Sequence, residues 1–263
     1  MIGEYSISTF IHPTAIVDPN SYIGKNVEIG PYTIIHNNTK IGNNTKIDSH
    51  VNIKPFSYLG ANCQIFPGAN IGEIPQDLKF SGENTELHID DNTIIREYCT
   101  VNRGTSASKK TIIGKNCLLM AYVHIAHDCI IGNNSILANG VQLGGHVEVG
   151  NKVIIGGMTP VHQFCKIGDY AFIGGGLRIV QDVPPYIIAM GEPLKYSGIN
   201  SVGLRRNKIS LNKRTDIKNA YKLIFKSNLN ITQAIASIKK NFKSTIEIKK
   251  IIDFINNSNR GLI

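Results

Sequence analysis

Histidines gather in one part of this 263-residue chain, with His124-Ile-Ala-His127-Asp128 in a single short run and His146 nineteen residues beyond His127. A histidine beside a carboxylate is a ready general base, because its unperturbed pKa lies near neutrality and the acid orients the ring. Gly145 and Gln163 follow His127 at successive intervals of 18 residues. A glycine in register with a base leaves its backbone N–H unobstructed to stabilise an oxyanion. His127, Asp128 and Gly145 are therefore candidates for proton abstraction with an oxyanion to support. Three histidines on one edge would alternatively ligate zinc.

The interval of 18 has meaning because of the scaffold. From Ile11 to Ile179 every sixth residue is Ile, Leu or Val, with only Asp77, Glu83 and Ala107 breaking the series. A second column, four residues after each aliphatic one, holds small or modest residues such as Ala15, Thr33, Thr45, Cys63 and Ala69, and both columns must point inward. Glycine or an Asn pair often follows the aliphatic residue, as at Gly24, Gly42, Asn43-Asn44, Gly132 and Asn133-Asn134, where a corner with positive φ is expected. A six-residue period reads as a parallel β-helix, with three hexads to a triangular coil and residues 18 apart stacked roughly 4.8 Å from each other. His127, Gly145 and Gln163 then share one column, with His124 and His146 beside it. Periodicity leaves the hand of the coil open.

Two interruptions stand out. Residues 73 to 86, containing Gln76-Asp77-Leu78-Lys79, are expected to leave the prism as a loop, and residues 102 to 111, small, polar and basic, as a mobile excursion. Residues 1 to 10 lead in, and Pro184-Pro185 ends the repeat. Domain boundaries are thus set at 1–190 for the prism and 191–263 for a small helical domain. Within the latter, Ile217, Ala220, Tyr221 and Ile224, then Ile231, Ala234, Ile235 and Ile238, then Ile248, Ile251, Ile252 and Ile255 fall at helical spacing, and Ser244-Thr-Ile-Glu247 reads as a capping box.

Composition narrows the classes. No long apolar run or charged-then-apolar leader predicts a membrane span or signal peptide, so a cytoplasmic protein is expected. The five cysteines (Cys63, Cys99, Cys117, Cys129, Cys165) all fall in the inward column and read as reduced structural thiols; Cys99 and Cys117, 18 apart, are expected to stack without a disulfide. Nothing has the spacing of a CxxC zinc site. Residues 192–263 carry 15 Lys and Arg against 4 Asp and Glu, net +11, while residues 1–191 carry 13 against 15, net −2. A basic helical face suits nucleic acid or an acidic protein, but the aromatic interleaving and recognition helix of a nucleic-acid binder are absent.

Several of these runs resemble the family of UDP-N-acetylglucosamine O-acyltransferases of lipid A biosynthesis: His124-Ile-Ala-His127-Asp128-Cys, Gly156-Gly-Met-Thr-Pro-Val-His162-Gln163-Phe, Gln181-Asp-Val-Pro-Pro-Tyr186, Gln76-Asp77-Leu78-Lys79, Asn219-Ala-Tyr-Lys-Leu-Ile224 and Arg260-Gly-Leu-Ile. The resemblance covers nearly the whole chain. It implies a left-handed hexapeptide-repeat prism followed by an α-helical C-terminal domain. It also implies transfer of an (R)-3-hydroxyacyl group, 3-hydroxymyristoyl by expectation, from acyl carrier protein to the 3-hydroxyl of UDP-N-acetylglucosamine. No cofactor or metal is implied beyond the donor's own phosphopantetheine thioester. By the same resemblance His127 is the base, Asp128 orients it and the Gly145 amide meets the oxyanion. Gln76, Asp77, Lys79, Asn102, His124, His146 and Gln163 hold sugar and phosphates, Asn200 and Arg206 contact the nucleotide, and Gly175 sets acyl length. Members are homotrimers with sites between neighbouring prisms, and the basic helices receive the acidic carrier protein. The chain departs from the pattern at Asn102, where familiar members carry His, at Val202, which replaces an acid, and at Asn207, which replaces an arginine. An acyl-CoA donor, a 3-amino sugar nucleotide acceptor and a zinc carbonic anhydrase-like chemistry stay open as alternatives.

Overall fold

The computed structural model describes residues 9–263; most of the expected lead-in lies outside the described residues. Short parallel strands stack into three faces. The first face has 11 strands running from Phe10–Ile11 to Lys195–Ile199; the second and third have eight each, ending at Pro160–Val161 and Lys166–Ile167. Each two-residue strand points one residue out and its aliphatic partner in. The aliphatic column and the column four residues later are both buried, Ile47 with Val51 and Ile125 with Cys129 among them. One continuous core therefore fills the prism, each buried Ile contributing about 1.5–3 kcal/mol.

The corners match the sequence expectation at the Asn pairs and differ from it at most of the glycines. Gly72 apart, at φ 81°, the glycines that directly follow an aliphatic residue, such as Gly24, Gly42 and Gly132, do not have positive φ. That conformation falls two residues further on, at Asn26, Asn44, Asn134 and their equivalents. Gly42 is instead required by close approach, since a Cβ there would lie 2.4 Å from the Gly60 carbonyl carbon of the next coil. Asparagine supports the corner because it tolerates the left-handed region.

Register locates the interruptions. Most coils pair residues 18 apart, as Ile125 with Leu143. Ile71 pairs with Val101, 30 residues on, and Ile89 with Ile113, 24 on. The excursions therefore add twelve and six residues, both multiples of the hexad, and so the aliphatic phase survives them. Both leave the same edge, between the second and third faces. Their bounds are 74–85, between Asn70–Glu73 and Glu86–Ile89, and 103–109, between Thr100–Asn102 and Lys110–Ile113. The extra six residues also separate Cys99 from Cys117: the pairing of Thr100 with His124 sets Cys99 beside Val123, whereas that of Ile94 with Leu118 sets Cys117 beside Thr93. The two thiols do not stack as expected. All five cysteines are free and buried, and burial pushes Cys99 and Cys129 up to about 12.

The β-structure runs past the expected boundary at 190. Ile187–Met190 continues the first face and pairs antiparallel with Lys195–Ile199, the chain reversing at Gly191. Four helices follow: α1 (Ser201–Arg206), α2 (Leu211–Phe225), α3 (Ile231–Asn241) and α4 (Ile246–Asn256). The N-cap of α4 is Thr245 rather than Ser244, and the capping box forms instead at Asn230 and Gln233 of α3. Fully buried Tyr221 ties α2 to the prism by donating to the Pro185 carbonyl at 2.6 Å. The C-terminal residues return to the prism, where Leu262 bridges Asp182.

Candidate active site

The His127 edge is where the prism concentrates chemistry. His124 lies in the strand His124–Ile125 and points outward; the chain then turns, and Asp128 takes the left-handed conformation at φ 60°. One coil further, Gly145 packs against the His127 ring so closely that a Cβ on it would lie 2.5 Å from Cε1 and 2.7 Å from Nε2. Among the described residues no protein group accepts from the Gly145 N–H. Gln163 stands exposed one coil beyond, as the 18-residue spacing predicts. His146 stands edge-on to His127, ring centroids 5.2 Å apart, and stacks on Phe164 at 4.5 Å.

Asp128 decides the state of His127. Its side chain is 0% exposed, and Oδ2 lies 2.8 Å from His127 Nδ1. A carboxylate only accepts, so Nδ1 carries the hydrogen and Nε2 is left as the free lone pair. Burial pushes the Asp128 carboxyl up, but hydrogen bonds from Ser108, Thr105 and His127 outweigh it and hold the group at about 2. Three of these donors come from the second excursion: the Thr105 N–H at 2.9 Å, the Thr105 hydroxyl at 2.6 Å and the Ser108 hydroxyl. Thr111 Oγ1 accepts the Asp128 N–H at 2.9 Å. The excursion expected to be mobile is anchored, Asn102, Arg103 and Thr105 being buried. Sequence reasoning missed Thr105, Ser108 and Thr111. The one available signal was a run of hydroxyl residues in a segment leaving the His127 edge.

The remaining candidates fall into three places. His124 accepts or donates at 2.7 Å with Thr100 Oγ1, and burial, then neighbouring His127, pushes its pKa down. Gln76, Asp77 and Lys79 lie on the first excursion, which leaves the same edge; Asp77 Oδ1 accepts the Lys79 N–H at 3.0 Å. Asn102 is 2% exposed and donates to the Ile74 carbonyl at 2.7 Å, holding the base of that excursion. Asn200 caps α1, accepting from Gly203 N–H at 3.0 Å and donating to Tyr170 O at 2.9 Å. It and Arg206 therefore lie by the edge between the third and first faces, and one chain does not bring them to His127. Gly175 sits on the remaining edge, about two and two-thirds coils above His127, on the order of 13 Å along the axis.

With this geometry, comparison with known proteins is direct. Residues 182–263 match the family model described as Udp N-acetylglucosamine O-acyltransferase, domain 2, and residues 8–43 and 110–145 match the bacterial transferase hexapeptide model. A relative from Chlorobaculum parvum, named acyl-[acyl-carrier-protein]--UDP-N-acetylglucosamine O-acyltransferase, is 49% identical over 95% of this chain and 96% of its own length. The chain belongs to the UDP-N-acetylglucosamine O-acyltransferase family. Solved family structures agree: the acyltransferase from Bacteroides fragilis superposes with a TM-score of 0.95 at 47% identity, covering 97% of this chain and all of that one. That from Acinetobacter baumannii gives 0.94 at 47% identity, covering 97% and 99%. The prism is accordingly left-handed, as the resemblance implies. The same geometry bears on the zinc alternative. His127, Asp128 and His146 offer ligand atoms within 4.8 Å of one another. However, His127 Nδ1 and both Asp128 oxygens are already engaged with each other and with Thr105 and Ser108. That donor set does not fit an open metal site, and none of the three is assigned as a ligand.

Proposed function

We propose that the chain moves an (R)-3-hydroxyacyl group from acyl carrier protein to the 3-hydroxyl of UDP-N-acetylglucosamine, the opening step of lipid A biosynthesis, with His127 as general base. The observation that carries this reading is the His127 ring, fixed through Nδ1 on Asp128 and packed against Gly145, whose N–H has no acceptor among the described residues. Nε2 takes the proton of the sugar hydroxyl as its oxygen attacks the thioester carbonyl, and the Gly145 N–H stabilises the oxyanion. Collapse breaks the C–S bond, and the imidazolium returns its proton to the leaving thiolate. No cofactor enters this sequence.

His124, His146, Gln163, Gln76, Asp77 and Lys79 line or overhang the same edge and are assigned to the sugar and phosphates. Asn200 and Arg206 are assigned to the nucleotide across a subunit boundary, which requires an oligomer. A homotrimer is supported by the outward residues of the first face, where Ile94, Leu118, Ile136, Ile154, Phe172 and Ile188 form an unbroken, half-buried apolar ladder. Five unpaired cysteines support a reducing, cytoplasmic setting. Among the described residues no helix is long and apolar enough to cross a membrane.

Purified protein given UDP-N-acetylglucosamine should accept acyl groups from acyl carrier protein far faster than from acyl-CoA; the reverse order would refute the donor assignment. The basic helices supply the reason, with Lys239, Lys240, Lys243 and Lys249 exposed on α3 and α4 and the loop between them. The apparent affinity for acyl carrier protein is therefore expected to weaken as salt rises past physiological strength, where the Debye length is roughly 8 Å. Acyl-pantetheine should show almost none of this dependence, and equal salt curves for the two donors would remove the carrier-protein role from these helices.

Gly175 is assigned as the residue that sets acyl length. It is exposed and lacks positive φ, that conformation falling on Gly176. A Cβ at Gly175 meets only the Gly157 carbonyl oxygen at 3.1 Å as a close neighbour, so a larger side chain projects outward. Each buried CH₂ is worth about 0.8 kcal/mol, enough for Gly175→Met to shift preference from a long 3-hydroxyacyl chain to one several carbons shorter without changing the KM for UDP-N-acetylglucosamine. A competition assay with mixed chain lengths reads this out; a folded variant with the wild-type profile places the limit on length elsewhere.

A further inference from the structure

The Asp128 carboxylate faces two histidines with the same oxygen. Oδ2 lies 2.8 Å from His127 Nδ1 and 3.6 Å from His146 Nε2. A carboxylate free to rotate would divide itself between them, and His127 would lose the fixed tautomer that exposes Nε2. We propose that Thr105 and Ser108 are positioning residues for acyl transfer, clamping Asp128 onto His127 and away from His146.

The clamp is built from opposite sides of the carboxylate. The Thr105 hydroxyl donates to Oδ2 at 2.6 Å, while the Thr105 N–H at 2.9 Å and the Ser108 hydroxyl donate to Oδ1. Thr105 is 7% exposed, and its backbone is fixed by accepting the Lys109 N–H at 2.8 Å. The excursion that carries both residues is itself held, through Gly104 N–H to Glu86 O at 3.1 Å and Ser106 N–H to Glu83 Oε1 at 3.3 Å. Six residues inserted into an otherwise regular repeat thus supply hydroxyl donors that a plain hexad corner does not. The groups facing His127 are Asp128 and His124 on its own segment and His146 on the next coil; the second excursion faces Asp128 with hydroxyls and an N–H.

This inference rests on His127 being the base, and the test separates the two. Thr105→Val and Ser108→Ala, alone and together, are assayed with acyl carrier protein donor and UDP-N-acetylglucosamine across about pH 5 to 9. Each single change should lower kcat by about tenfold and the double change by up to about 100-fold, with KM for the sugar nucleotide unchanged. With fewer donors the carboxylate becomes more basic and holds the imidazolium proton more tightly. The acid limb of the kcat profile should therefore move up by about half a unit to one unit. Thr105→Ser, which keeps the hydroxyl, should restore both. Because Ser108 is exposed, Ser108→Ala decides the matter if Thr105→Val does not fold. A loss of kcat without movement of the limb, or wild-type values in the folded double variant, overturns the clamp. Those outcomes leave the base assignment standing as long as His127→Ala is inactive; an active His127→Ala removes the base itself.

Discussion

His127→Ala is expected to keep the fold and lose about 10²- to 10⁴-fold in turnover, the usual worth of a general base. The fold should survive because the ring stands outside the prism, while the residues on either side that fill the core, Ile125 and Cys129, are untouched. Steady-state kinetics alongside thermal unfolding separates the two effects. Near-wild-type transfer by a folded variant would take His127 out of the mechanism, and with it the roles given to Asp128, Thr105 and Ser108.

Gly145→Ala should come close to the same loss for a different reason. The backbone there is not in the left-handed region, so strain plays no part. The added methyl would lie 2.5 Å from His127 Cε1 and 2.7 Å from Nε2, inside any permissible contact. Either the ring swings off Asp128 or the corner shifts and carries the Gly145 N–H with it. Removing one oxyanion donor alone costs about 10²- to 10³-fold, so a decrease of at least about 100-fold in kcat is expected. Most of it should persist when substrate is saturating, because the damage is to the reacting groups. A Gly145→Ala enzyme with normal kcat would mean that ring and glycine are not in contact during the reaction.

Much of this site could be read from the chain because the prism converts sequence interval into distance. An 18-residue spacing placed Gly145 and Gln163 above His127, and the structure brings them there through pairs such as His124 with Gln142 and Gln142 with Pro160. The same rule failed for Cys99 and Cys117, since six residues added at the second excursion change which residues stack while preserving the hexad phase. The corners were read correctly at the Asn pairs, but most corner glycines, Gly72 apart, are needed for a cause other than positive φ. Gly42 answers to the crowding of the next coil, and positive φ belongs to Asn44. Beyond the run of hydroxyl residues in the second excursion, nothing in the chain marked the Thr105 and Ser108 contacts, because an excursion obeys no period and its hydrogen bonds depend on where it lands. Asn200 offers a similar lesson: its type suits a nucleotide contact, but within one chain both ends of its amide are used in capping α1 and holding Tyr170.

As proposed here, His127 activates the 3-hydroxyl of UDP-N-acetylglucosamine toward an acyl carrier protein thioester. The most direct measurement is to give the purified enzyme that thioester with UDP-N-acetylglucosamine and, separately, with its 3-amino analogue, and to locate the acyl group in the products by nuclear magnetic resonance. A base-labile ester on the 3-oxygen of UDP-N-acetylglucosamine is expected, formed by the wild type and lost with His127→Ala. Acylation of the amino analogue alone, or an ester formed equally well without His127, would contradict it.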